Sequence, residues 1–323
     1  MRAIARRASP TRPAAGAAPP GRGGGPARRR RRRRSRPGRT AVLLTAPAVL
    51  TMLAVGGYPL GYACWLSLHR YDLRFPDQRR FVGLGNYTAV LAAPVFWTDL
   101  GATAVITAVA VTAELVLGFA IALVLRRAAV GRRSVRAALL LPYGIIPVVA
   151  AFAWKYAATP ELSFLSDRAW LAERWSSFAV VIATEVWKST PLVALLLLAG
   201  LAAVPEEVLD TARVDGATAW QRFHRVLLPG IRPVLLVVLL YRTLDSLRVF
   251  DTVFVQTGGA NGTETLSLLA YQQLTSRLNL GLGSAVSVLL FGLSAGLALV
   301  FVLVFRADLR QLYRGEPAGA GGE

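Results

Sequence analysis

Apolar residues in this chain come in long blocks separated by shorter polar connections. Each block holds roughly 20 residues, which is long enough for a helix to cross a hydrocarbon core of about 30 Å. The blocks predict transmembrane helices at about 41–68, 100–125, 137–157, 178–200, 233–255 and 282–305. No run shows the period-two alternation of a transmembrane strand, so the pattern predicts an all-α integral membrane protein.

The polar connections differ in charge, and this difference predicts which side of the membrane each one faces. Residues 126–136 carry five arginines and no acid, and the tail 306–323 opens with three arginines within nine residues. By contrast, residues 70–99 and 158–177 mix arginines with acids. Because basic loops stay in the cytoplasm, six transmembrane helices with cytoplasmic N and C termini satisfy every connection.

The net charge of +19 comes mostly from one tail. Residues 1–40 contain 14 arginines and no acid, together with much Pro, Gly and Ala, so they are predicted to be disordered. A run of seven arginines, Arg28–Arg34, is a possible contact for nucleic acid. A basic segment before a first membrane helix more often fixes topology or touches lipid, and we predict no nucleic-acid partner.

Several kinds of chemistry are excluded by the residues present. Cys64 is the single cysteine, so an intrachain disulfide is impossible. The two lysines, Lys155 and Lys188, each follow a tryptophan rather than the glycine-rich turn of an ATP-binding loop. The two histidines, His69 and His224, are far apart in sequence, which argues against a metal site. The chain is therefore not predicted to be an enzyme.

The connection 201–232 is about 30 residues long, yet it reads as two structured helices on the cytoplasmic side. Pro205 and two following glutamates suit the first turn of a helix, and Gly216 interrupts the pattern. Thr218 and Gln221 then form a T-x-x-Q capping box that predicts the start of the second helix.

An aromatic stripe follows on that second helix. Trp220, Phe223 and Leu227 stand at helical spacing on one face, and Pro229 and Pro233 are predicted to stop the helix before the fifth span. Such a stripe outside the membrane either binds a partner surface or packs on the ends of the protein's own helices. The pattern alone leaves both interpretations open.

This loop resembles the EAA signature of permeases in binding-protein-dependent ABC importers. Asp210-Thr211-Ala212 occupies the E-A-A place, Gly216 follows after three residues, and Val226-Leu227-Leu228-Pro229 closes the motif after nine more. Asp210 stands where the family has Glu, and Thr211 stands where it has the first Ala. Because Asp keeps the charge but is shorter, a contact to a basic residue of an ATPase would be retained or weakened. In the family this loop is the coupling helix that rests in a cleft of the ATPase.

Other segments resemble the sugar permeases of the maltose and glycerol-phosphate type, and specifically the first permease of the pair. The matching runs are Phe81–Tyr87, Phe96-Trp97, Phe250-Asp251, Thr257–Gly259 and Thr263–Thr265, with Ala260 and Asn261 where the family has Pro and Gly. The resemblance implies the type I importer permease fold over residues 41–305 in a bacterial cytoplasmic membrane. It also implies a second permease, two ATPase subunits that hold ATP and Mg, an extracytoplasmic solute-binding protein, and a sugar as substrate. This chain would bind no cofactor itself.

Two sets of site residues follow from the resemblance. The predicted ATPase-docking residues are Asp210, Thr211, Ala212, Asp215, Gly216, Trp220, Phe223, Leu228 and Pro229. The predicted substrate-path residues are polar or aromatic side chains within the spans, namely Trp154, Glu185, Trp187, Lys188, Arg242, Asp245 and Ser246. The alternative for the charged residues is an internal ion pair that only pins helices together, and for the tryptophans an anchor at the membrane interface.

Three other functions fit the sequence less well. An ion-driven secondary carrier often shows internal repeats, which we do not find, and it has no use for an EAA loop. An ABC permease for a non-sugar solute is the nearer alternative, because the sugar-type runs are less specific than the EAA loop. A membrane-bound enzyme has no sequence feature in its favour.

Overall fold

The computed structural model describes residues 37–127, 132–160 and 168–314. Within these ranges the chain is helical except for one small hairpin and the connecting turns. Most of the predicted disordered tail 1–40, including Arg28–Arg34, lies outside the described residues, as does the end of the tail 306–323. The acids Glu161 and Asp167 of the connection 158–177 also lie outside them.

Fourteen α-helices are described. They are α1 (Pro37–Met52), α2 (Tyr58–Ser67), α3 (Gly85–Ala92), α4 (Pro94–Arg127), α5 (Arg132–Leu139), α6 (Leu141–Gly144), α7 (Pro147–Ala158), α8 (Arg174–Ala202), α9 (Glu206–Val214), α10 (Ala219–Arg222), α11 (Leu228–Ser246), α12 (Asp251–Gln256), α13 (Leu266–Tyr271) and α14 (Leu280–Arg314). Three π-turns cover Leu53–Gly57, Phe223–Leu227 and Gln272–Ser276. Two 3-10 turns cover Pro76–Gln78 and Ala260–Gly262, and the strands are β1 (His69–Arg70) and β2 (Arg80–Phe81), paired antiparallel.

The chain divides into two compact units, residues 1–54 and 55–323. In the first unit the described helix is α1. The side chains of residues 44–54 are almost all exposed. The second unit contains α2 to α14 and the whole core.

Five stretches in the described part of the chain are long and apolar enough to cross a membrane. They are Leu44–Ser67, Pro94–Arg126, Arg174–Ala202, Ala219–Gln256 and Leu280–Phe305. The third predicted helix, 137–157, is not one continuous helix but parts of α5, α6 and α7. Pro142 and Pro147 stand at the first turns of α6 and α7, because proline cannot continue the hydrogen-bond ladder of the preceding helix. The count of six spans and the cytoplasmic termini stay predictions.

The core of the second unit is built on α4, α8 and α11, which pack side by side. Glycines allow the close approach. A Cβ added to Gly118 on α4 would lie 2.7 Å from Val193 Cγ1 on α8, and one added to Gly200 would lie 2.9 Å from Val234 Cγ1 on α11. Small residues at helix crossings are the usual device by which membrane helices gain packing contacts without a hydrophobic driving force.

The fifth predicted helix, 233–255, starts later than the described helix and misses a break near its end. The helical backbone does not stop at Pro229 and Pro233 but runs unbroken from Ala219 to Ser246, with a π-turn directly before Leu228. The wider π-turn makes room for the Pro229 ring where a regular α-turn would clash. At the other end, residues 247–250 break the helix, and the Thr265 hydroxyl donates to the freed carbonyl of Val249 at 3.1 Å.

Candidate functional site: an exposed loop and a buried ion cluster

The EAA loop, residues 201–232, contains the starts of the two helices that the sequence predicts, but the second helix continues into α11. After α9 the backbone turns at Gly216, whose φ of +78° lies in the left-handed region that favours glycine. The amide of Ala217 donates to the carbonyl of Ala212 and that of Gly216 to Arg213, each at 3.0 Å, so the turn closes the free carbonyls at the helix end.

The predicted capping box at the start of α10 is confirmed. The amide of Gln221 donates to the Thr218 hydroxyl at 3.3 Å, and the amide of Thr218 donates to the Gln221 side-chain oxygen at 2.8 Å. These two bonds satisfy amides that would otherwise have no partner at the helix start. They fix where the helix begins and therefore which way the next turn faces.

The aromatic stripe divides between the two interpretations that the sequence left open. Phe223 packs inward, edge to face on Phe119 of α4 with 5.3 Å between the ring centroids, and Leu227 is buried in the core beside it. Trp220 stacks on Phe223 at 5.7 Å but stays 69 % exposed. Thus Phe223 and Leu227 hold the loop on its own bundle, while Trp220, which also contacts the His224 ring at 4.2 Å, stays mostly exposed.

The remaining predicted docking residues lie mostly on the surface. Asp210, Thr211, Asp215, Gly216 and Pro229 are exposed, whereas Ala212 and Leu228 are half-buried. The Asp210 carboxylate accepts a hydrogen bond of 2.5 Å from Arg213, three residues later, and both side chains are more than half exposed. A cavity of about 390 Å³ lies between α9, α10 and the end of α4, and charged side chains line much of its wall.

A second polar region lies inside the bundle, and we call Glu114, Arg242 and Asp245 the Arg242 cluster. The Arg242 guanidinium donates to both carboxylate oxygens of Glu114, at 2.7 and 2.8 Å, across the α4–α11 contact. It also donates to Asp245 one turn further along α11. The side chains of Arg242 and Glu114 are 1 % and 0 % exposed, but that of Asp245 is 56 % exposed.

The other predicted substrate-path residues lie at different depths. Ser246 is buried, and its hydroxyl has no hydrogen-bond partner among the described residues. Glu185 accepts a hydrogen bond from Thr252 of α12 rather than pairing with Lys188. The side chains of Glu185 and Lys188 are half-buried. Trp154 and Trp187 meet edge to face at 6.2 Å, and Trp187 is the more exposed of the two.

Two interior contacts lie outside the predicted set. Glu114, the main partner of Arg242, is the single charged residue in the apolar run 100–125. That isolation in a membrane helix is itself a signal of a paired or functional group. The ammonium group of Lys155 donates to the carbonyl of Val255 at 2.8 Å, so it caps the end of the short helix α12.

A family model described as "binding-protein-dependent transport system inner membrane component" matches residues 82–310. This match spans most of the chain and includes both polar regions. The chain belongs to this family.

Relatives and solved structures agree with the assignment. The permease is 49 % identical over 286 residues to a trehalose transport system permease protein, SugA, of Mycobacterium tuberculosis, covering 87 % of this chain and 92 % of that protein. It is 37 % identical to a trehalose/maltose transport system permease protein, MalF, of Thermococcus litoralis, covering 84 % and 96 %. A bacterial ABC transporter for import of the acidic polysaccharide alginate has the same fold, with a TM-score of 0.71 at 17 % identity over 83 % of this chain and 95 % of that one.

The permease is therefore a membrane subunit of a binding-protein-dependent ABC transporter and not an enzyme. It lies in the inner membrane, as the family description states. The assignment excludes the alternative of an ion-driven secondary carrier. The separate roles of the EAA loop and of the substrate-path residues stay predictions.

Proposed function

We propose that this permease forms half of the translocation path of a sugar importer and that the EAA loop couples the path to ATPase subunits. The proposal for the substrate is supported by relatives named for trehalose and maltose transport that cover nearly all of the chain. A trehalose-type disaccharide is the first substrate to test. A second permease, two ATPases and an extracytoplasmic binding protein complete the assembly, and ATP and Mg²⁺ bind to the ATPases.

The observation that carries the coupling role is the exposed ring of Trp220 on a rigid base. Its inner face stacks on Phe223, which in turn contacts Phe119 inside the bundle. An exposed tryptophan supported in this way resembles the aromatic anchors that dominate protein interfaces. The capping box fixes the start of the same helix, so the ring is presented in one orientation.

In this mechanism the residues of the permease only transmit motion and provide the path. Closure of the ATPase dimer on ATP displaces the docked loop, and α11 carries that displacement into the membrane because its backbone continues from α10 without a break. The ion pair between Arg242 and Glu114 holds α11 against α4 during the movement. The path then alternates between the two sides of the membrane.

The test is purification of the tagged permease from its native membranes, with Trp220→Ala as the variant. Loss of a hot-spot tryptophan costs about 2 kcal/mol or more, so the affinity for the ATPase is expected to fall about 30-fold or more. Recovery of the ATPase and sugar-stimulated ATP hydrolysis should both fall with it. Trp175→Ala is the matched control, because this ring is similarly exposed but stands at the opposite end of α8. Equal loss in both variants, or no ATPase with the unmodified chain, would contradict the coupling role.

A further inference from the structure

The small β1–β2 hairpin collects arginines at one end of a membrane span. Residues 69–81 contain four arginines and two aspartates, and they begin two residues after the end of the apolar stretch Leu44–Ser67. The charge pattern predicts that this connection lies on the side opposite the EAA loop, where basic residues are normally depleted. Arginines that stand there against this tendency indicate a negatively charged partner at the membrane surface.

The pairing of the two strands places two of these arginines directly opposite each other. Arg70 of β1 is the Cα partner of Arg80 of β2, and His69 is that of Phe81. Cross-strand partners point to the same face of a hairpin with Cβ atoms about 4.5–5.5 Å apart, and like charges in this position destabilise the pair. An anion bound between the two arginines would relieve this repulsion.

The hairpin keeps this arrangement because its backbone is anchored at several points. The side-chain amide of Asn86 donates to the carbonyls of Ser67 and His69 at 2.7 and 2.9 Å. The amide of Leu73 donates to the carbonyl of Leu278, just before α14, at 2.9 Å. Hydrogen bonds of the main chain therefore hold the strands in a register that their charges oppose.

The acids of the hairpin do not neutralise the opposed arginines. The Asp72 carboxylate is bound to Arg74 at 2.6 Å, and the hydrogen bonds from Arg74 lower its pKa to about 2, so these two residues stay ionised and cancel each other. A cavity of about 340 Å³ at the hairpin is lined by Arg70, Asp77, Gln78, Arg79 and Arg80. Three arginines and one acid leave this cavity with two positive charges in excess.

An exposed aromatic ladder leads along the span to this cavity. Tyr58, Tyr62 and Trp65 stack along α2 with 6.2 and 5.8 Å between successive ring centroids, and they are 71 %, 47 % and 41 % exposed. α2 packs on α14, and the ladder occupies surface that this contact leaves uncovered. Arg79 joins the two features, because it lines the cavity and its guanidinium lies 4.1 Å from the centre of the Trp65 ring. An apolar surface within the span is thus continuous with a cationic rim at its end.

We propose that the β1–β2 hairpin binds the phosphate group of an anionic phospholipid, whose acyl chains lie along the ladder of Tyr58, Tyr62 and Trp65. Arginine binds phosphate through two parallel N–H donors, and tyrosine and tryptophan collect at membrane interfaces. An acidic surface of a soluble protein would use the arginines but not an aromatic face inside the span, so the lipid accounts for both features. The inference goes beyond the proposed transport function and does not depend on the substrate.

The test is a titration of the purified transporter in mild detergent with phosphatidylglycerol and, separately, with uncharged phosphatidylcholine. Native mass spectrometry measures the bound lipid. The wild type is expected to prefer phosphatidylglycerol, and Arg80→Gln to weaken that binding about 5-fold, the contribution of one basic residue near an anionic surface. Adding Arg70→Gln should bring the loss to about 25-fold.

Thermal unfolding of the same samples separates a lost lipid site from a damaged fold. Without phosphatidylglycerol, the double variant Arg70→Gln with Arg80→Gln should melt no lower than the wild type, since a like-charge pair is removed. Saturating phosphatidylglycerol should raise the melting temperature of the wild type more than that of the double variant, because a ligand of the folded state stabilises it. An equal rise in both would overturn the proposal.

Arg168→Gln is the matched control. Arg168 is also an exposed arginine near a tryptophan ring, on a connection predicted to lie on the same side of the membrane, and its replacement should leave lipid binding unchanged. Equal losses in Arg168→Gln and Arg80→Gln would overturn the proposal, as would complete competition by inorganic phosphate, which has no acyl chains. Loss of the extracytoplasmic binding protein from Arg80→Gln with unaltered lipid affinity would also overturn it and assign the arginines to a protein partner.

Discussion

The EAA loop and the Arg242 cluster each contain an Arg–Asp pair at a spacing of three residues on a helix, in opposite surroundings. Asp210 and Arg213 are 61 % and 62 % exposed, whereas Arg242 is 1 % exposed and its second partner, Glu114, is completely buried. Exposed pairs are screened by water and contribute about 0–1 kcal/mol. A buried guanidinium stays charged, so loss of its partner leaves an uncompensated charge in the bundle. The comparison teaches that an arginine is held by an exposed acid on its own helix in one place and, in the other, also by a buried acid on a neighbouring helix.

The largest effect is expected when one side of the buried pair is removed. Arg242→Met leaves the Glu114 carboxylate unpaired in the bundle, which should cost about 3–5 kcal/mol of stability. Thermal unfolding of the purified transporter in detergent measures the loss. The double variant Glu114→Leu with Arg242→Met removes both charges and should recover most of it. Equal melting temperatures for the single and double variants would show that the pair does not hold α4 to α11.

A smaller effect is expected at the turn of the EAA loop. Gly216→Ala forces a side chain into the left-handed region, at a cost of about 1–2 kcal/mol. The strain should loosen the end of α9 and weaken ATPase recovery while leaving the melting of the bundle nearly unchanged. Gly101→Ala is the control, because Gly101 lies inside α4 with open space around its Cα, so the added methyl is tolerated there. A similar loss of ATPase recovery in both variants would rule out the turn as its cause.

The smallest change in stability is expected from the exposed pair. Asp210→Asn removes its charge and should lower the free energy of unfolding by no more than about 0–1 kcal/mol, the contribution of an exposed ion pair, so the melting temperature should hardly change. If Asp210 contacts the ATPase, sugar-stimulated ATP hydrolysis should nevertheless fall, and the difference from the wild type should shrink as salt is raised. A fall in stability as large as that of Arg242→Met would contradict the contrast between the two regions.

The EAA loop could be predicted from the sequence almost residue by residue, because its signals are local. The capping box joins Thr218 to Gln221, and Gly216 marks a turn that few other residues adopt. The local pattern did not indicate which aromatic ring would face the bundle and which would face outward. Trp220 and Phe223 stand on one predicted stripe, yet Phe119 on α4 makes one of them an internal contact and leaves the other outside.

The Arg242 cluster could be predicted only in part, because its main contact joins residues 128 positions apart. The pairing of Arg242 with Asp245 follows from helical spacing, but the partner Glu114 does not. The prolines also differ from the prediction in two opposite ways. Pro142 and Pro147 divide a predicted span, whereas Pro229 and Pro233 lie in a helix that continues through them. Neighbouring helices and a π-turn decide such cases, and neither can be read from hydropathy.

The unbroken helix from Ala219 to Ser246 has the geometry of a lever arm. It crosses α8 where Val234 packs on Gly200, with Trp220 and Asp245 on opposite sides of that point. At 1.5 Å per residue the two arms measure about 21 Å and about 16 Å. A tilt of about 5° around the crossing would shift the loop by about 2 Å in one direction and Asp245 by somewhat less in the other. Inward pressure at the loop would thus arrive at the sugar path as outward motion.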